Sequence, residues 1–218
     1  MKNGKLVATL GAVALVAAVG LGSTLAYLSD STNTVENTFT LGNVSFGEDP
    51  NLGLALVEHE VTLNDTTYTI ANDAKWTDHN DYKKVTPGEV LPKDPTVFIG
   101  ETSEDAWLYV RVSKSADFSA IEWNTDDFEV LDIKDDHYFY LRKKTVAKAG
   151  ENYNIFKTVT VDKNLDGMIK DENGNDIACV LRLDDIEIQA AMVQAAGLTD
   201  ENGNPTAEAQ TTALGLFE

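Results

Sequence analysis

The chain has a single cysteine, Cys179, among 218 residues, so no disulfide can close within it. A domain of this size can bury enough apolar surface to fold without one. Cys179 lies in the apolar run Ile177-Ala178-Cys179-Val180-Leu181, which reads as a small core residue and not a reactive thiol. Histidine is nearly as scarce. His59, His79 and His137 stand far apart, and the zinc-peptidase pattern H-E-x-x-H is absent. A zinc site therefore has to be assembled by folding, for instance around His59 and Glu60; the alternative is three surface or edge-strand histidines. There is no G-x-S-x-G, no P-loop and no Cys–His pair that can be placed, and no LPxTG pattern stands near the C-terminus. Basic residues are few: 17 Lys and Arg against 36 Asp and Glu, for a net charge of −19. Such a surface repels nucleic acid and anionic lipid. Acid pairs such as Asp126-Asp127 are too common in so acidic a chain to mark an acid–base site.

Long hydrophobic runs are also missing, with one exception at the N-terminus. Lys2 and Lys5 precede an uncharged stretch, residues 6–22, made mostly of Ala, Val, Leu and Gly. Thr24-Leu25-Ala26 then has the small–x–small form of a signal-peptidase site, which places the cut between Ala26 and Tyr27. A transmembrane anchor is the competing reading. It needs about 20 strongly apolar residues, and this run is slightly short and interrupted by Gly11, Gly20 and Gly22. On the signal reading, membrane contact is made only through the uncleaved leader. Removing 26 residues leaves 192, with 15 basic and 36 acidic residues, a net charge of −21.

Residues 27–37 are polar, rich in Thr, Ser and Asn, and too poor in apolar residues to hold themselves in a core. Phe39, Leu41, Val44 and Phe46 begin the domain, 38–218, with a kink or bulge at Gly42-Asn43. Residues 52–63 form one strand and Tyr68-Thr69-Ile70 a short one; 72–84 is a polar loop with Trp76. Pro87, Pro92 and Pro95 keep 86–95 irregular or at a sheet edge. The clearest strand is 106–112: Ala106, Leu108, Val110 and Val112 share one face, and Trp107, Tyr109 and Arg111 the other. Residues 117–123 fit a short helical turn. Residues 128–133 and 137–142 pair as a hairpin, 148–151 turn, and 155–161 is a β-branched strand. In 178–194 the composition allows a helix, but Ile186, Ile188, Ala190 and Met192 alternate as in a strand. Asp-Glu-Asn-Gly-Asn occurs at 171–175 and at 200–204, and Asn-Gly is a strong tight-turn signal. Residues 206–216, after Pro205, suit a C-terminal helix. About eight strands with scattered turns predict an all-β antiparallel sandwich with a few short helices, preceded by an N-terminal signal helix.

Gly22-Ser23-Thr24-Leu25-Ala26-Tyr27-Leu28-Ser29-Asp30, followed by Asn37-Thr38-Phe39-Thr40-Leu41-Gly42-Asn43-Val44, resembles the entry segment of TasA/camelysin-type proteins. Looser matches are Pro87-Gly88-Glu89 with Asp94-Pro95-Thr96-Val97, the strand around Trp107, and the run 186–195. The resemblance implies a jelly roll exported by a Gram-positive bacterium, cut by a SipW-type signal peptidase, and built into extracellular biofilm fibres. It also implies that 27–37 is a donor strand, with Tyr27, Leu28, Ser29, Asp30, Val35 and Asn37 as its candidate residues, and that partners are further copies of the chain and other matrix proteins. Camelysin-like relatives have been classed as metallopeptidases, so a secreted metallopeptidase is the alternative, and a monomeric surface adhesin presenting Trp76, Trp107 or Trp123 is a third. A structural protein, not an enzyme, with no required cofactor, is the expectation.

One metal candidate comes from the residues themselves. Asp162, Asn164 and Asp166, then Gly167 and the Met168 carbonyl, match the opening of a D-x-N-x-D-G calcium loop. Position 12 is Asn173 where a bidentate Glu is needed, and a strand precedes the loop where an EF-hand has a helix. A weak calcium loop, completed by Asp171 or Glu172, competes with a plain acidic hairpin.

Overall fold

A computed structural model describes residues 29–31, 44–82, 85–165, 168–170, 176–178 and 185–217; in 29–31, 168–170 and 176–178 the description is of the backbone. In chain order the strands are β1 (Ser29–Ser31), β2 (Leu56–His59), β3 (Val61–Asn64), β4 (Thr67–Ile70), β5 (Trp76–Thr77), β6 (Val90–Pro92), β7 (Thr96–Phe98) and β8 (Ala106–Ser113). There follow β9 (Phe118–Trp123), β10 (Phe128–Val130), β11 (Tyr138–Lys143), β12 (Asn152–Asn154), β13 (Phe156–Val161), β14 (Met168–Lys170), β15 (Asp176–Ala178) and β16 (Ile188–Gln194). One helix, α1 (Ala207–Leu214), and a 3-10 turn (Gly215–Phe217) come last.

The strands build two facing antiparallel layers. The first has the order β1-β16-β8-β11-β10. In the second, β13 lies between β6 and β9, and β12-β7-β2-β5 continue alongside. Pro92 and Pro95 lack the N–H a ladder needs, so β6 and β7 are one strand broken between them. The opposite strand breaks at Ile155. Two bonds carry the ladder over the gap: Lys93 N–H to the Lys157 carbonyl, 3.1 Å, and Ile155 N–H to the Pro95 carbonyl, 2.8 Å. The chain changes layer between β1 and β2 and again after β7, β8, β9, β11 and β13, a jelly-roll-like path in which β8 pairs with both β11 and the late β16. Two hairpins, β3–β4 and β14–β15, stand apart from the layers.

Binary patterning explains β8. Leu108, Val110 and Val112 point into the space between the layers, while Trp107 and Tyr109 point outward. Both sets are fully buried because α1 covers the outer face. Ala209, Ala213 and Phe217 pack there against Trp107, Tyr109, Ala191 and Val193. Thr206 caps α1: its hydroxyl accepts the Ala209 N–H at 3.2 Å. β16 is a strand for the same reason, with Ile188, Ala190 and Met192 facing inward and Ala191 and Val193 facing α1.

The turn chemistry is where the repeated pentapeptide placed it. The Asp200 carboxylate accepts the N–H groups of Asn202 and Asn204, and Gly203 takes φ +82°. The Asn204 N–H bond, the largest effect, holds the Asp200 carboxyl below the ordinary aspartate range. The other copy, 171–175, lies outside the described residues, but Lys170 pairs with Asp176 on either side of it.

Three expectations need correction. Residues 117–123 are not a helical turn: β9 pairs with β13 there, because Phe118, Ile121 and Trp123 each reach the interlayer core. Two register shifts in that pairing spoil the alternation that marks a strand in sequence. Residues 52–63 are not one strand; Leu52 and Leu54 are exposed in a turn, and the chain leaves β2 at Glu60 to pair β3 with β4. The polar loop 72–84 contains a two-residue strand, β5, at the edge beside β2.

Candidate functional site: the β16 edge and the adjoining cleft

The outer edge of the first layer belongs to β16, and the N-terminal segment covers part of it. Ser29 stands opposite Val193, Asp30 opposite Met192 and Ser31 opposite Ala191. β16 spans Ile188–Gln194, and β1 faces Ala191, Met192 and Val193 of it. Of the candidate donor residues, Ser29 and Asp30 are therefore in a strand; Tyr27, Leu28, Val35 and Asn37 lie outside the described residues, as do Ala26 at the cut, the Gly42-Asn43 kink and Cys179.

Beside Ile188, at the start of β16, the two layers part. A cleft of about 310 Å³ opens there, walled by Leu54, Leu56, Ile186 and Ile188, with Glu58 and Lys93 also on its surface. The Lys93 ammonium donates to both Glu58 carboxylate oxygens, at 3.0 and 2.8 Å. The Glu58 side chain is 5 % exposed and that of Lys93 16 %. Removing one member of so enclosed a pair strands the other charge, which costs about 3–5 kcal/mol. Glu58→Ala is thus expected to lower the urea midpoint sharply, whereas Glu58→Leu combined with Lys93→Leu recovers most of the loss. A single-site loss no larger than that of the double variant would contradict this account of the cleft.

The next residue along β2 is held just as firmly. Asp94 accepts the His59 N–H at 2.9 Å and meets the ring Nδ1 at 2.6 Å. The His59 ring stacks on Trp76 with centroids 3.6 Å apart, and Trp76 meets Phe98 edge-on. Asn80 clamps the strand end by donating to the His59 carbonyl and accepting from Val61 N–H. The Tyr82 hydroxyl donates to the Pro92 carbonyl, and its burial pushes the phenol far above the ordinary tyrosine range. His59 is thus a half-buried histidine with a carboxylate partner, on a strand flanked by β7 and β5 and not at the sheet edge.

The other two histidines lie elsewhere. His79 pairs with Asp78 at 2.8 Å; that bond raises the imidazole and lowers the carboxyl. His137 is 3.8 Å from Asp135, whose carboxyl is lowered first by the His137 backbone N–H. Among the described residues no three His, Cys, Asp or Glu side chains converge as metal ligands. In the calcium-loop candidate, Asp162 Oδ1 accepts the Asn164 N–H at 2.6 Å. Asp166 lies outside the described residues, and Met168 contributes only its backbone, at the start of β14.

The Glu58–Lys93 pair and the His59–Trp76 stack were not visible to sequence reasoning. Each joins residues well separated in the chain, and a Glu in a short strand ordinarily signals solvent. No family model, no curated protein and no solved structure matches this chain.

Proposed function

We propose that this is a secreted structural protein, a subunit or accessory of an extracellular fibre or biofilm matrix, assembling by donation of residues 27–37 to a neighbouring copy. The observation that carries the reading is the pairing of β1 with β16. A strand that can pair with its own β16 can make the same main-chain bonds to the β16 of another copy. The self-docked arrangement is shallow. Three residues contribute a few backbone hydrogen bonds of about 0.5–1.5 kcal/mol each, against an ordering cost of roughly 1–2 kcal/mol per residue. Their side chains, Ser, Asp and Ser, offer no apolar anchor. Exchange between copies therefore costs little. The edge of β16 runs on past Ala191 to Ile188, and the cleft beside it, walled in part by Leu54, Leu56, Ile186 and Ile188, offers further surface for a longer donor. Contact of this kind is heterologous and propagates as an open filament. The TasA/camelysin resemblance supports the same assignment, with export through a SipW-type peptidase and other matrix proteins as further partners.

Charge sets the condition for assembly. Copies carrying −21 repel one another, and both salt and protonation of carboxylates relieve this. Negative-stain electron microscopy of the 27–218 chain is expected to show fibres whose yield rises with salt and with falling pH. Dispersed monomers under every condition would overturn the structural role, and a yield flat in both variables would overturn the electrostatic account.

A further inference from the structure

Among the described residues, β11 carries a buried lysine. Phe139, Leu141 and Lys143 alternate toward the interlayer core, and Lys143 is 4 % exposed. Its ammonium donates to the Thr145 hydroxyl at 2.7 Å and lies 4.3 Å over the Tyr153 ring. Among the described residues it has no ion-pair partner. A buried ammonium held this way is expensive, and its pKa is pulled below the ordinary lysine range by that burial, against the opposing pull of Asp127 and Glu151.

A carboxamide and a carboxylate are held together in the same corner. Asn124 follows β9 in the opposite layer and is 9 % exposed. Its side-chain amide donates to Asp127 Oδ2 at 3.0 Å and to the Asn154 carbonyl at 2.8 Å. Tyr153, under the lysine, is the neighbour of Asn154. Asp127 is tied to the lysine strand: Lys144 N–H donates to the Asp127 carbonyl, and Phe128 pairs with Lys143. A buried lysine from one layer, a buried asparagine from the other and a half-buried carboxylate bonded to that asparagine thus lie around one corner of the fold beside Tyr153.

We propose that Lys143 and Asn124 form an intramolecular isopeptide bond that staples the two layers, with Asp127 as the proton carrier. Asp127 takes a proton from the Lys143 ammonium, and the neutral amine attacks Asn124 Cγ. The tetrahedral adduct collapses with cleavage of the Cγ–Nδ2 bond. The second proton lost by the amine and the one held by Asp127 both go to the leaving nitrogen, which departs as ammonium. No oxidant, metal or cofactor enters the balance. Desolvation favours the step twice, by making the amine nucleophilic and by removing a buried charge. To react, the lysine has to exchange its bond to Thr145 for contact with Asn124.

Intact-mass spectrometry of the full-length chain tests this. The expected mass is below that of the sequence by about 17 Da, the mass of ammonia, and proteolysis should yield one branched peptide joining the segments of Lys143 and Asn124. Succinimide formation at Asn173-Gly174 or Asn202-Gly203 loses the same mass, but it leaves no branch and is reversed by hydrolysis. Lys143→Arg and Asn124→Ala should each remove the branched peptide, and Asp127→Asn should abolish or greatly slow its formation. A full sequence mass, a deficit without a branch, or a branch at other residues overturns the proposal. Where a variant does not fold, the peptide map of the unaltered chain decides alone.

Discussion

If residues 27–37 are the donor strand, a chain beginning at residue 38 is expected to give no fibres under conditions where one beginning at residue 27 assembles. The eleven residues removed carry the whole of β1, so the shorter chain keeps its acceptor edge and loses its donor. Among the described residues, every member of the two hydrophobic clusters lies at or beyond Val44. The expected readout is therefore complete loss of polymer with nearly unchanged thermal stability, seen by negative-stain microscopy beside a melting curve. Baring β16 Ile188–Gln194 along its full length should also leave the shorter chain prone to irregular association. A peptide of residues 27–37 added in excess should suppress that association without restoring fibres, because a free peptide complements an edge but links nothing. Fibres from both chains would keep a structural role while moving the contact away from the N-terminus.

Trp107→Ala is expected to destabilise the fold by about 3–5 kcal/mol, the usual cost of deleting a buried aromatic side chain. Trp107 is 1 % exposed and is the largest side chain between the first layer and α1. Its indole N–H donates to the Thr199 hydroxyl at 3.1 Å, which ties β8 to the turn before the helix. Trp107→Phe separates the two contributions. It keeps an aromatic ring and loses the hydrogen bond, a loss of about 1 kcal/mol beyond the smaller volume. Thr199 is not orphaned by this change, since its hydroxyl already donates to the Ala195 carbonyl at 2.8 Å. Urea unfolding with an unchanged slope would report the difference as a shift in midpoint. An alanine variant within about 1 kcal/mol of the parent would mean that α1 contributes little to holding the first layer together.

The strands that were legible in the sequence are those with a clean period of two and burial on defined faces. β8 announces both of its faces through Leu108-Tyr109-Val110, and β16 does so through Ile188, Ala190 and Met192. The end of the chain is legible for a local reason as well: Thr206 caps a short run of Ala and Gln. β9 was illegible because its register shifts twice against β13, so the apolar residues fall out of step. The candidate site was half legible. Residues 27–37 stand out by polarity and position, but nothing local says that β16 is the edge they meet. Glu58 and Lys93 are 35 residues apart, and only the fold decides that a strand glutamate turns inward. Lys143 was closer to detection. The alternation Phe139-Leu141-Lys143 already places a charge where the pattern calls for an apolar residue.

The position of β8 has a consequence for how the chain is made. One neighbour of this central strand is β16, and the cover on its outer face is α1 with Phe217. A chain produced from its N-terminus has β8 complete long before either exists. Until then Trp107 and Tyr109 are bare and one edge of the strand is open. The first layer therefore closes only as the last thirty or so residues arrive, and pairings of such long sequence separation form slowly. The first layer of a nascent chain of this design stays open for most of its synthesis. The excess of acidic residues acts in this interval too. It keeps unfinished chains apart while each waits for its final strand.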